Sequence, residues 1–259
     1  SSLVLFLLSP WAKNTNQFFK AVQKKRAPNT FMLMGSLIIS WIFAKSITNA
    51  ANLGLDYGIV GGVAYAGYYI SFAVAGVVIY KMRLHGKYTS IHHFLRSKFG
   101  AGAVAVFSLL IAIRLFNEVW SNTMVIGTYF GDMGTSSYYW SILVFTALTL
   151  AYVLKGGMSS SIFTDVIQMG LFAILLLVIL GAIFGADTTF SSKTVITSGI
   201  WSFDMGLNLL FAAVLQSFSY PFHDPVLTDR GFLSSPKITL KSFLWACVLG
   251  ALCCLLYTL

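Results

Sequence analysis

With 259 residues, 57% of them hydrophobic and 10% charged, the chain is far more apolar than a soluble domain, in which about a quarter of residues are charged. A mean hydropathy of +0.79 excludes that class and makes this an all-α integral membrane protein. The formal net charge of +9 would suit a polyanion partner, but the placement of the basic residues explains it without one.

Crossing a hydrocarbon core takes about 20 apolar residues. In chain order the opening stretch, residues 1–10, is too short to cross and lacks the basic flank of a signal peptide, so it reads as the tail of an upstream helix. Seven longer spans follow, near 31–50, 58–80, 102–130, 138–154, 161–185, 203–221 and 242–259. The last closes on an apolar run, an ending that leads us to expect the natural protein to continue.

The segments 9–30, 81–100, 155–160 and 222–241 hold fourteen Lys and Arg, among them Lys24, Lys25 and Arg26, whereas the opposite loops hold only Lys193. Such a bias places the basic side in the cytoplasm and the spans in a plasma (inner) membrane. Basic loops can also touch anionic lipid, and nothing is left for a nucleic-acid partner to explain.

A charged residue at the centre of a span costs roughly 2.5 to 3.5 kcal/mol on insertion scales, so each needs compensation. Lys45 is followed by Ser46, Thr48, Asn49 and Asn52, a crowd that suits a local unwinding, tolerated only where freed backbone lines a cavity; snorkelling of Lys45 to the interface is the alternative. On the third span Arg114 and Glu118 are four residues apart and can pair on one helix face. We read them as a structural charge pair that fastens this helix to its neighbours, not as solute ligands. Their truncation should cost of order 3 to 5 kcal/mol.

Between Gly156 and Phe172 the chain reads GGMSSSIFTDVIQMGLF. Asp165 there either serves an ion or, with Ser159, Ser160, Ser161 and Thr164, simply caps the helix. In the sixth span Gln216, Ser217, Ser219 and Tyr220 precede Pro221, which disfavours helix at Tyr220, so a break is expected over 216–221. The three cysteines all lie in the last span and the four histidines are scattered. No CxxC, HExxH, phosphate loop or nucleophile elbow is present, and neither an enzyme nor ATP-driven transport finds support.

Three segments in order, LDYG after the first span, GKYTSIHHFLRSKFG after the second and GGMSSSIFTDVIQMGLF before the fifth, resemble the sodium:solute symporter family. The resemblance implies a LeuT-like inverted-repeat bundle, each repeat of five helices opening with a broken helix. Residues 31–185 would be the first repeat and 203–259 the first two helices of the second, all within a single transmembrane domain, 1–259. It also implies sodium as coupling ion, no other cofactor and a small organic solute.

By the same resemblance the sodium site uses backbone carbonyls at Ile39 and Ile42, with hydroxyls from a helix that would follow this chain. Asp165 would stand on the cytoplasmic exit route of the ion. The solute pocket would include Ser46, Tyr65, Tyr68, Ser217 and Tyr220, with Tyr220 an inner gate. Sugar-carrying members resemble one another in a carboxylate where Tyr65 stands, and Lys45 beside the pocket would attract a carboxylate, so an amino acid or organic acid is favoured over a sugar. A solute-sensing module of a signalling protein, such as a histidine kinase, is the alternative, because some members are fused to such domains.

Overall fold

The computed structural model describes all residues except 1, 23–26, 43, 187–194, 196 and 259. Of the charges used above, Lys24, Lys25, Arg26 and Lys193 lie outside the described residues. All regular structure among the described residues is helical: α1 (Ser2–Leu8), α2 (Thr15–Lys20), α3 (Thr30–Ile39), α4 (Ala44–Tyr57), α5 (Ile59–Gly67), α6 (Ile70–His85), α7 (Ile91–Thr128), α8 (Ser136–Ala186), α9 (Gly206–Gln216), a 3-10 turn (Tyr220–Phe222), α10 (Pro225–Arg230) and α11 (Pro236–Leu256).

Four helical runs, 59–85, 91–128, 136–183 and 236–256, are long and apolar enough to cross a membrane. The third covers two of the expected spans. Gly157 divides it at φ +53, a backbone region that costs an L side chain roughly 1 to 2 kcal/mol. Space makes the same demand as conformation. A Cβ on Gly157 would strike the carbonyl and ring of Phe18, and one on Gly156 would strike the carbonyl of Pro10. The paired glycines therefore let residues 10–18 lie against the bend. Ser159 Oγ donates to the Gln17 carbonyl (2.6 Å) and Lys155 Nζ to the Phe6 carbonyl (2.6 Å), which fastens α1 and α2 to α8.

This bend overturns the capping alternative for Asp165. The second arm starts just after Gly157, so Asp165 lies about two turns inside it. Its carboxylate accepts from side chains of other elements, Ser36 and Arg230. Thr164 Oγ bonds the Ser161 carbonyl within the helix, and Ser159 bonds Gln17.

The break expected over 216–221 is present, whereas the polar cluster after Lys45, expected to unwind, is helical within α4. α3 ends at Ile39 and α4 begins at Ala44, before the polar cluster rather than within it; α9 ends at Gln216, and turns lead through the 3-10 segment to α10. Asp224 caps α10, accepting from Leu227 N (3.0 Å), with Pro225 at its first position, where a missing donor does no harm.

The core lies where α3, α6 and α11 meet. Leu33, Leu37, Ile38, Phe72, Ile79, Phe243 and Ala246 are all essentially inaccessible there. In lipid the gain from such packing is dispersion between close-fitting side chains rather than release of water. The outer faces of α7 and α8 carry exposed Leu109, Ile113, Phe116, Ile174 and Leu177, a covering suited to lipid tails.

Candidate functional site

Two helix breaks and the α5–α6 junction border an open cavity of about 470 Å³, called the central cavity. At that junction Tyr69 N bonds the Ala66 carbonyl and Ser71 N the Tyr68 carbonyl, both at 3.0 Å. These three-residue steps tighten the helix by a fraction of a turn. Tyr65, Tyr68 and Tyr69 all reach the cavity as a result. From the first break and the start of α4 come Trp41, Lys45, Ser46 and Asn49; from the end of α9 and the second break, Gln216, Tyr220 and Asp224; from α7, Arg114 and Glu118.

Of the five residues expected around the solute, Ser46, Tyr65, Tyr68 and Tyr220 line this cavity. Ser217 does not. It is fully buried, and its hydroxyl donates to the Val214 carbonyl at 2.7 Å. Ser46 Oγ donates to the Trp41 carbonyl (2.8 Å), stitching the first break. Tyr68 OH donates to Gln216 Oε1 (2.7 Å), bridging the α5–α6 junction to the end of α9.

The Arg114–Glu118 pair forms as the spacing predicts, at 2.7 Å, but not as a buried fastener. The side chains keep 23% and 26% of their exposure because both face the cavity. Glu118 Oε2 also accepts from Asn122 Nδ2 at 3.5 Å. The Arg114 guanidinium lies 4.5 Å from the centre of the Tyr220 ring, close enough for a cation–π attraction. Tyr220 in turn meets Trp41 edge-on at 5.2 Å, so one aromatic ring joins both breaks to α7. Arg114 Nε is buried and has no partner. Lys45 belongs to neither of the two ion pairs formed among the described residues.

The second ion pair surrounds Asp165. Arg230 Nη2 approaches Asp165 Oδ2 to 2.9 Å with side-chain exposures of 7% and 12%. Ser36 Oγ donates to the same oxygen (2.5 Å) and accepts from Arg230 Nε (2.6 Å), so the three groups close a ring. Arg230 Nη2 also reaches Ser161 Oγ at 3.5 Å. Sequence reasoning missed both partners. Arg230 counted only as one more basic loop residue, and Ser36 carried no signal at all.

Ile39 is the last residue of α3 and Ile42 lies in the break after it. Carbonyls at a helix C-terminus lack intrahelical donors and carry partial negative charge, the property a hard cation needs. Asp165 meets this helix at Ser36, one turn before Ile39.

Beyond the Asp165 ring a larger vestibule of about 1050 Å³ opens among Phe18, Lys20, Arg83, Lys87, Asp229 and Arg230, on the side that carries the basic loops.

A family model for the sodium:solute symporter family matches residues 26–250. The chain is similar to sodium/glucose cotransporter 1 of Mus musculus, 22% identical over 154 residues that cover 53% of this chain and 23% of that protein. It is also similar to sodium/myo-inositol cotransporter 2 of Oryctolagus cuniculus, 24% identical over 176 residues, 63% of this chain and 26% of that protein. The chain therefore spans about a quarter of the length of the curated relatives it matches.

Proposed function

Because the chain belongs to the sodium:solute symporter family, we propose that it forms part of a sodium-coupled symporter of a small organic solute. The observation that carries this reading is the 470 Å³ cavity set where two broken helices meet. Its volume suits one small solute, and broken helices near the midplane are where secondary transporters bind. On this reading residues 31–185 make up the first repeat and 203–259 open the second. Sodium is held at the Ile39 and Ile42 carbonyls, with Asp165 on its route out. The basic loops face the cytoplasm.

For the solute itself the lining favours a carboxylate. Lys45 has no counter-charge in an ion pair, and Arg114 keeps a buried N–H without an acceptor. A buried donor left unpaired, as at Arg114 Nε, costs about 1 to 3 kcal/mol, and a carboxylate supplies the missing acceptor. A polyol or sugar is the second reading, supported by the names of the relatives and by the neutral polar set Ser46, Asn49 and Gln216 with tyrosine faces around it.

Uptake into proteoliposomes, with sodium or choline outside, tests the coupling; uptake indifferent to sodium overturns it. Competition by carboxylates, hexoses and inositols in the same assay decides the class. In a Lys45→Gln protein the carboxylate reading expects about tenfold weaker competition by carboxylates alone, the loss of one charge-assisted contact.

A further inference from the structure

The six residues of α10 reach both working parts of the molecule. Pro225 and Val226, at its start, line the central cavity and also the vestibule, as does Leu115 of α7. The wall between the two spaces is thus formed by a few apolar side chains. Arg230, at the other end of α10, holds Asp165 and Ser36. A helix of this length spans about 9 Å, and this one is stiff. Asp224 caps it, Thr228 Oγ bonds the Asp224 carbonyl (3.0 Å), and Leu227 is fully buried. Whatever moves the Arg230 end must move the Pro225 end.

The contact at the Arg230 end is replaceable. Asp165 Oδ2 accepts from both Ser36 and Arg230, and a cation that takes this oxygen displaces the guanidinium. Arg230 then loses its buried counter-charge and must move toward the vestibule, which it already lines.

We propose that α10 is a gate between the central cavity and the vestibule, held shut by the Arg230–Asp165 pair, and that a cation at Asp165 opens it. The proposal rests on the symport reading for what passes through, but the gate can be tested without transport. It makes Arg230 a positioning residue that touches neither solute nor ion yet decides whether Val226 blocks the path.

The test uses a Leu209→Cys substitution, at a position that lines the cavity but not the vestibule, in the intact, membrane-inserted protein and a membrane-impermeant maleimide applied to sealed vesicles of both orientations. The protein without this substitution supplies the background from Cys247, Cys253 and Cys254. With the pair intact, labelling of position 209 from the side of Lys20 and Lys87 is slow. Adding Arg230→Gln, or Asp165→Asn as an independent way to break the pair with little change in volume, speeds it about tenfold from the side of Lys20 and Lys87, as expected when a sparsely open state becomes well populated.

Equal rates with and without the pair overturn the gate. So does a parallel rise at buried Cys254, which would mean that the pair only holds the fold together. Exchange of choline for sodium separates the two readings. Faster labelling in sodium, lost in the Arg230→Gln protein, supports gate and coupling together. A rise in the Arg230→Gln protein, with no response to sodium while the pair is intact, supports the latch but overturns its opening by sodium at Asp165 and counts against sodium symport.

Discussion

Two ion pairs of similar length sit in different surroundings, and burial decides what each contributes. The Arg230–Asp165 pair is 7% and 12% exposed and sealed by Ser36. Removing one partner strands a charge, at a cost of about 3 to 5 kcal/mol. We expect Arg230→Ala to lower the thermal unfolding temperature of the purified protein steeply. The Arg230→Ala, Asp165→Asn double variant should lose less than the two single losses combined, because it leaves no stranded charge; strictly additive losses would refute the coupling. The Arg114–Glu118 pair, about a quarter exposed to the cavity, behaves more like a surface pair, for which about 1 kcal/mol is the usual ceiling. Glu118→Gln should therefore fold normally and change solute binding instead. A collapse in folded yield would return this pair to the purely structural role that its spacing suggests.

At the scale of elements, two of the causes that break helices here can be compared, space and chemistry. Gly157 breaks α8 because the chain of α2 occupies the room a side chain would need and because φ is positive. Gly157→Ala should consequently lower folded yield and stability in size-exclusion and thermal-shift measurements, by about 1 to 2 kcal/mol for the backbone alone. Gly170→Ala, whose Cβ would meet nothing within 4 Å, serves as the control and should be neutral or slightly stabilising. The breaks at 40–42 and 217–224 are of the other kind, since they expose side chains and backbone to a cavity.

The second of these breaks was legible in the sequence, marked by proline after a polar run. The first was misplaced: the polar crowd expected to unwind folds as α4, and the chain breaks a few residues earlier, after Ile39. Their partners were not legible, because periodicity relates residues three or four apart and is silent about contacts across the fold. Asp165 and Arg230 are 65 positions apart, and Asp165 and Ser36 are 129. Arg114 and Glu118 show the same limit from the other side: spacing revealed the pair, while the direction it faces depends on where α3 and α9 end.

At the scale of the molecule the question is whether the cavity, the Asp165 ring and the vestibule work as one device. Trp41 and Tyr220 tie the two breaks together across the cavity, Ser36 ties α3 to α8 and α10, and α10 returns to the cavity floor. A solute that fills the cavity and a cation that occupies the Ile39 and Ile42 carbonyls would therefore order the same breaks. Each should then bind more tightly in the presence of the other, by the same factor whichever is added first. Thermal stabilisation of the intact protein measures this directly, since a ligand that binds only the folded state stabilises by about 2.7 kcal/mol at a hundred times its Kd. We expect the stabilisation by solute in sodium to exceed the sum of the separate effects, and to fall toward that sum when Arg230→Gln uncouples α10 from Asp165. Simple additivity in the unaltered protein would mean that the two sites ignore each other, and that the ring around Asp165 serves the fold alone.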